Sequence, residues 1–146
     1  MDFTFSTRPD QVALHLTGQE VTDATMERVR GCEKLKVLSL VATSVTERGL
    51  AVVDDLRELI VLDLRGTTLT SAGCARIGRL TNLQELDLRD TGVSDTMLAH
   101  LQGLRCLEVL DLRGTEVTNM GVRRFKETMN NPELLVFHKQ KVAKPA

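Results

Sequence analysis

Large aromatic side chains are nearly missing from this chain, which has no Trp, no Tyr and only four Phe in 146 residues. Proteins that grip single-stranded nucleic acid stack the bases on such rings, so sequence-specific capture of single strands is disfavoured. An excess of one charge is missing too: 19 Lys and Arg stand against 20 Asp and Glu, a net charge of −1. No global field therefore draws the chain to nucleic acid or anionic lipid. Cysteine is limited to three residues with no CxxC spacing, which excludes a zinc site and a disulfide framework and suits a reducing compartment. No apolar run approaches the roughly 20 residues that a membrane-spanning helix needs. The segment Met1-Asp2-Phe3-Thr4-Phe5-Ser6 carries neither the basic nor the apolar region of a signal peptide, so a cytoplasmic location is the expectation.

What the chain has in abundance is one phrase repeated. Leu14-His15-Leu16, Leu38-Ser39-Leu40, Leu62-Asp63-Leu64, Leu86-Asp87-Leu88 and Leu110-Asp111-Leu112 follow one another every 24 residues, and Leu134-Leu135-Val136 falls on the next multiple. A fixed period of this length indicates a stacked solenoid, in which each unit buries its apolar side only against its neighbours. Within Leu59 to Leu69, leucines stand at the first, fourth, sixth and eleventh positions and Thr67 at the ninth. This pattern resembles the leucine-rich repeat family, strongly from Leu35 to Phe125 and partially over Val12 to Val29 and Leu134 to Val142. The resemblance implies an α/β fold, a right-handed solenoid with a parallel sheet on its concave face and short helices on its convex face. It also implies a protein-binding module, a scaffold or adaptor, without an enzymatic role or a cofactor. The expected organisation is a single domain over 1–146: an N-terminal cap over 1–11, about five repeats over 12–125, and a C-terminal cap strand with a basic tail over 126–146.

One departure from the family pattern is regular. Thr43, Thr67, Thr91 and Thr115 stand where Asn or Cys is usual, and their hydroxyls could satisfy backbone groups left free at the turn. Beyond each turn, Thr46, Thr70, Ser94 and Thr118 are placed to cap a short helix. The triplets Leu50, Val53, Leu56; Cys74, Ile77, Leu80; and Leu98, Leu101, Leu104 put one apolar face inward. Val45 with Leu50, and Leu69 with Cys74, fit hydrophobic staples. Cys32 and Cys74 take inward positions as small core hydrophobes, whereas the register of Cys106 (Lys34, Glu58, Asn82) places it near the surface.

The search for chemistry is negative. His15, His100 and His138 occupy different parts of the repeat, and Gly66 and Gly114 are turn residues with no GK[ST] sequence after them. Asp63, Asp87 and Asp111 align on one sheet face, but Arg65, Arg89 and Arg113 supply a countercharge at every rung, which argues against a metal or a shared proton.

The sheet face is the informative surface. Its outward columns read Val37, Val61, Glu85, Val109; then Ser39, Asp63, Asp87, Asp111; then Val41, Arg65, Arg89, Arg113. The charges either neutralise one another within a repeated cassette or form a bipolar strip that sets the register of a charged partner. On the same 24-residue spacing, Leu135 takes the Asp column and Phe137 the Arg column, so two apolar side chains should look out beside Val109 and Arg113. They are expected to contact a partner, to pair with a second copy as a homodimer, or to lie under a terminal cap. Val61, Asp63, Arg65, Glu85, Asp87, Arg89, Val109, Asp111, Arg113, Leu135 and Phe137 are therefore the expected partner-binding residues. Arg123, Arg124 and Lys126, followed by His138, Lys139, Lys141 and Lys144, make the C-terminal end basic, and an acidic protein segment ranks above nucleic acid as its target. Phe3 and Phe5, alternating with polar residues before Arg8-Pro9, suit an extended cap over the first rung.

Overall fold

In the computed structural model, which describes residue 8 and residues 10–138, a single six-stranded parallel sheet runs in sequence order from end to end. Its strands are β1 (Ala13–Thr17), β2 (Val37–Val41), β3 (Val61–Asp63), β4 (Glu85–Asp87), β5 (Val109–Asp111) and β6 (Leu135–Phe137). Between them lie α1 (Asp23–Glu27), α2 (Glu47–Leu50), α3 (Ser71–Ile77), α4 (Asp95–Leu98) and α5 (Asn119–Met129), with α2 and α4 tightening into 3-10 turns at Ala51–Asp55 and Ala99–Leu101. The expected cap residues Phe3 and Phe5 and the tail residues Lys139, Lys141 and Lys144 lie outside the described residues.

The leucine phrase makes this architecture because its two halves have different periods. Alternation turns the leucines of each strand inward, and Leu38, Leu62, Leu86 and Leu110 are at most 1% exposed. The helical triplets close the other side: all nine side chains from Leu50 to Leu104 are buried. Each fully buried Leu of this kind contributes about 1.5–3 kcal/mol. The staple residues Val45 and Leu69 are buried as well.

The turn threonines are buried and do satisfy a carbonyl. Thr43, Thr67, Thr91 and Thr115 donate to the carbonyls of Leu40, Leu64, Leu88 and Leu112 at 3.0, 2.7, 2.7 and 2.6 Å. Each bond closes a turn inside its own unit, three residues back. Just before each of these four turns the backbone enters the left-handed region, at Ala42, Gly66, Asp90 and Gly114, and it does so at Gly18 one period earlier. Glycine takes that conformation freely; Ala42 (φ 54°) does so against its Cβ.

Three of the four expected caps form. Thr46 accepts from the Arg48 amide, Thr70 from Gly73 and Thr118 from Gly121, whereas the Ser94 hydroxyl pairs with Thr96 instead. A second device joins the units to each other. Asp23, first in its helix, accepts from the amide and hydroxyl of Thr46 in the next unit at 2.7 and 2.6 Å, and Asp95 does the same to Thr118. A Cβ at Gly49 or Gly121 would collide with these carboxylates, which explains glycine at both helix starts.

The last rung corrects an expectation. Leu110 pairs with Val136, and Asp111 with Phe137, so the final unit is offset by two residues from the 24-residue spacing. Leu135 therefore continues the column of Val61, Glu85 and Val109, and Phe137 the Asp column; neither stands where constant spacing puts it. The cause is α5, which runs eleven residues before Asn130 turns left-handed (φ 48°) ahead of Pro132. Because the offset is even, both side chains keep their face. The expected boundary after residue 125 falls inside this helix.

Candidate functional site

On the sheet face the three Asp-Arg pairs form a closed ladder. In each rung the Arg Nε and Nη2 grip the Asp carboxylate of the same strand, with Nη2–Oδ2 distances of 2.7, 2.6 and 2.5 Å for Arg65, Arg89 and Arg113. The Arg amide also donates to Oδ1 of the same Asp, at 3.1, 3.1 and 3.2 Å. Diagonal contacts link the rungs, Arg65 to Asp87 at 3.5 Å and Arg89 to Asp111 at 3.4 Å. Hydrogen bonds to their Asp partners, resisted by desolvation for Arg65 and Arg89, hold all three guanidinium groups above their ordinary range.

The Asp column is thus less accessible than alternation alone predicts. The side chains of Asp63, Asp87 and Asp111 are 17%, 21% and 11% exposed, and Asp111 is buried as a residue. The Arg folds back over its own carboxylate, and at Asp111 a second Arg and the neighbouring β6 strand complete the enclosure. Burial would raise the Asp111 pKa, but hydrogen bonds from the Arg113 side chain and amide, aided by the charges of Arg113 and Arg89, leave it below the ordinary carboxylate range. Asp23 is lowered in the same way, burial being outweighed by its bonds to Thr46 and Gly49. Neutralisation within a cassette is what the geometry displays.

What stays open lies beside the ladder. Val61 and Val109 are half-buried, Glu85 is exposed, and Leu135 and Phe137 are 57% and 48% exposed. The Arg113 guanidinium sits 5.7 Å from the centre of the Phe137 ring, a cation–π contact that steadies the ring at the sheet end. A shallow hollow of ≈ 210 Å³ runs across the middle strands, with Val61, Glu85, Val109, Asp111 and Phe137 in its lining. The structure thus brings Val61, Asp63, Arg65, Glu85, Asp87, Arg89, Val109, Asp111, Arg113, Leu135 and Phe137 onto one face, in the corrected register.

The remaining reactive types are scattered. Cys32 and Cys74 are buried and Cys106 is exposed; burial pushes the Cys74 thiol up to about 11, so it stays protonated at neutral pH. His15 is exposed on β1, His100 is exposed on the convex side, and His138 follows β6 with its Nε2 2.5 Å from the Val117 carbonyl. Among the described residues no group of three or more His, Cys, Asp or Glu is placed to hold a metal ion, and no helix is long and apolar enough to cross a membrane.

Comparison with known proteins agrees with the repeat and the sheet. The family model for the leucine-rich repeat matches residues 79–96, a stretch that contains β4 and its turn. Among solved structures, the chain is similar to a leucine-rich-repeat protein of Leptospira interrogans, with 18% identity and a TM-score of 0.56 over 88% of this chain and 37% of that one. An internalin of Listeria monocytogenes matches 91% of this chain and 42% of its own at 15% identity and a TM-score of 0.58. The plant peptide hormone receptor RGFR1, solved in complex with RGF2, matches 91% and 25% at 16% identity and a TM-score of 0.55. The chain thus spans well under half the length of these three. No curated protein matches the sequence. The unbroken parallel sheet, the leucine phrase and these likenesses define the fold as an α/β leucine-rich-repeat solenoid.

Proposed function

We propose that this chain is a protein-interaction module, without enzymatic chemistry, that receives a segment of a partner protein on its concave sheet face. The observation that carries this reading is the open apolar end of that face. Leu135 and Phe137 stand about half exposed at the end of a face whose Asp-Arg charges are already paired. Apolar side chains held on a rigid sheet lose little freedom on binding, so their burial converts efficiently into affinity. The general mode is supported by the plant peptide hormone receptor RGFR1, a chain of similar fold solved in complex with RGF2. Free cysteines with no disulfide among the described residues suit a reducing compartment such as the cytoplasm.

Affinity capture from the native source tests this reading. Wild type and the doubly substituted Leu135→Asp, Phe137→Asp chain are compared with a convex control, Arg123→Glu. The expected result is a protein retained by wild type and control and lost by the double variant. Retention by all three refutes the concave assignment. If any turnover is detected, its loss in Cys106→Ser would overturn the non-enzymatic reading.

A second reading, self-association, rests on the same residues lying on an edge strand. Among the described residues β6 pairs only with β5, which leaves its outer backbone groups available to a copy related by a twofold axis. Light scattering decides it: a dimer at micromolar concentration that the double variant abolishes supports it, and a monomer at high micromolar concentration removes it.

A further inference from the structure

Glu85 is the exception in its column. Its in-register neighbours are Val61 on β3 and Val109 on β5, followed by Val37 and Leu135, all apolar. Its carboxylate is exposed and makes no ion pair or hydrogen bond with any described residue, although Arg65 and Arg89 stand on the same face, beyond the Asp column. Those arginines are already committed to Asp63, Asp87 and Asp111. The hollow therefore has an apolar floor at both ends and one uncompensated negative charge between them.

Resting on the concave-face reading above, we infer that the occupant is an extended peptide segment presenting Lys or Arg to Glu85, with an apolar residue two positions before it and another two positions after. Two physical constraints give this pattern. Covering Glu85 with an uncharged segment would strip water from a carboxylate and return nothing, a cost that a cation across the interface offsets. Neighbouring strands lie about 4.8 Å apart, whereas alternate side chains of an extended segment repeat at about 6.6–6.8 Å. A segment crossing the strands with its cation over Glu85 thus sets its flanking side chains between Val37 and Val61 on one side and between Val109 and Leu135 on the other, near Phe137. The Nη1 groups of Arg65, Arg89 and Arg113, which bond no described residue, remain as donors that main-chain carbonyls of the segment can use. Glu85 is then the residue that sets specificity, and Phe137 with Leu135 supplies contact area.

The test selects displayed random nine-residue segments on the full chain and measures the most enriched synthetic peptide by fluorescence anisotropy. The expected winners carry apolar-x-(Lys or Arg)-x-apolar. Glu85→Gln, which keeps the fold because the side chain is exposed, should weaken the peptide about tenfold, and its affinity should fall with salt. Glu85→Lys should bind the peptide whose cation is exchanged for Glu better than the parent peptide. If winners lack a cation, or Glu85→Gln binds as well as wild type while Phe137→Ala does not, the inference fails and the concave reading survives. If neither variant weakens binding, or no segment is enriched, both fall.

Discussion

Strands β3 to β5 and strand β6 face the same way, yet they treat their outward side chains in opposite fashion. On β3 to β5 every Asp is gripped through two nitrogens and an amide by the Arg two residues on, and Arg65 and Arg89 reach across to the next rung. On β6 Phe137 takes the Asp column and Leu135 the column of Val109, both about half exposed, with the Arg113 cation against the Phe137 ring. The charged stretch is the more conspicuous in sequence and the less available in space. Density of charge is thus a poor guide to a binding surface when donors and acceptors recur at matching intervals; the residues to follow are those that break the interval. Glu85 and Phe137 break it.

This contrast can be broken first at its foundation. Leu86, under β4, is 1% exposed, and Leu86→Ala should destabilise the chain by about 2–5 kcal/mol through the cavity it leaves, whereas Phe137→Ala on the open rung should cost less than about 1 kcal/mol. Urea unfolding of the two variants measures the gap, and equal losses would mean that β6 is as integral as the middle rungs.

The ladder comes next. Asp111 serves two arginines, Arg113 and Arg89, while Asp63 serves only Arg65 among the described residues. Removing Asp111 by Asp111→Ala should therefore cost about 1–3 kcal/mol and Asp63→Ala clearly less, since the more enclosed carboxylate leaves more donors unpaired. Acid probes the same pairs. Asp111 and Asp23 titrate below the ordinary carboxylate range when folded, so they take up protons less readily folded than unfolded. Their contribution is complete above the unfolded value of about 4 and disappears as pH falls through their lowered folded values. Unfolding free energies measured from pH 6 down to pH 2 should fall, and the slope should be shallower in Asp111→Asn.

A smaller effect is expected where a unit departs from its own column. Ala42→Gly should stabilise the chain by about 0.5–1 kcal/mol, since relief of left-handed strain outweighs the added freedom of the unfolded glycine. The same change at a right-handed site, Ala75→Gly within α3, should destabilise by about 0.5–1 kcal/mol, and thermal melts separate the signs. Smallest of all, Glu85→Gln should leave stability within about 0.5 kcal/mol of wild type, since its carboxylate has no described partner.

Much of this was legible in the sequence because the repeat ties residues to places. Leucine alternation fixed the inward face, the threonine column fixed the turn, and the helical triplets fixed the convex core, all as the structure shows. The last rung was not legible. Leu134, Leu135 and Val136 are all apolar, so alternation gives no signal by which to choose between registers, and the choice is made by the length of α5. Side-chain direction assigns Asp111 to the outer face but cannot tell that two guanidinium groups close over it. The Asp23 and Asp95 links to the following unit were visible in principle, as acids directly after a cap residue with a glycine 26 positions on. The left-handed strain at Ala42 was also visible, because Gly18 and Gly66 flank it at one period on either side.

The two-residue offset ahead of β6 has a consequence for how such a stack tolerates change in length. Sidedness along a strand obeys parity, so an even change slides the rung along its neighbour and keeps its wardrobe of inner and outer side chains. An odd change exchanges them. Deleting one residue between Asn130 and Glu133 would oblige Val136 to face water and turn Leu135 and Phe137 into the stack, whereas deleting two would restore the common spacing with Leu135 and Phe137 still facing outward. Length variation in this molecule should thus come in pairs wherever a strand must follow.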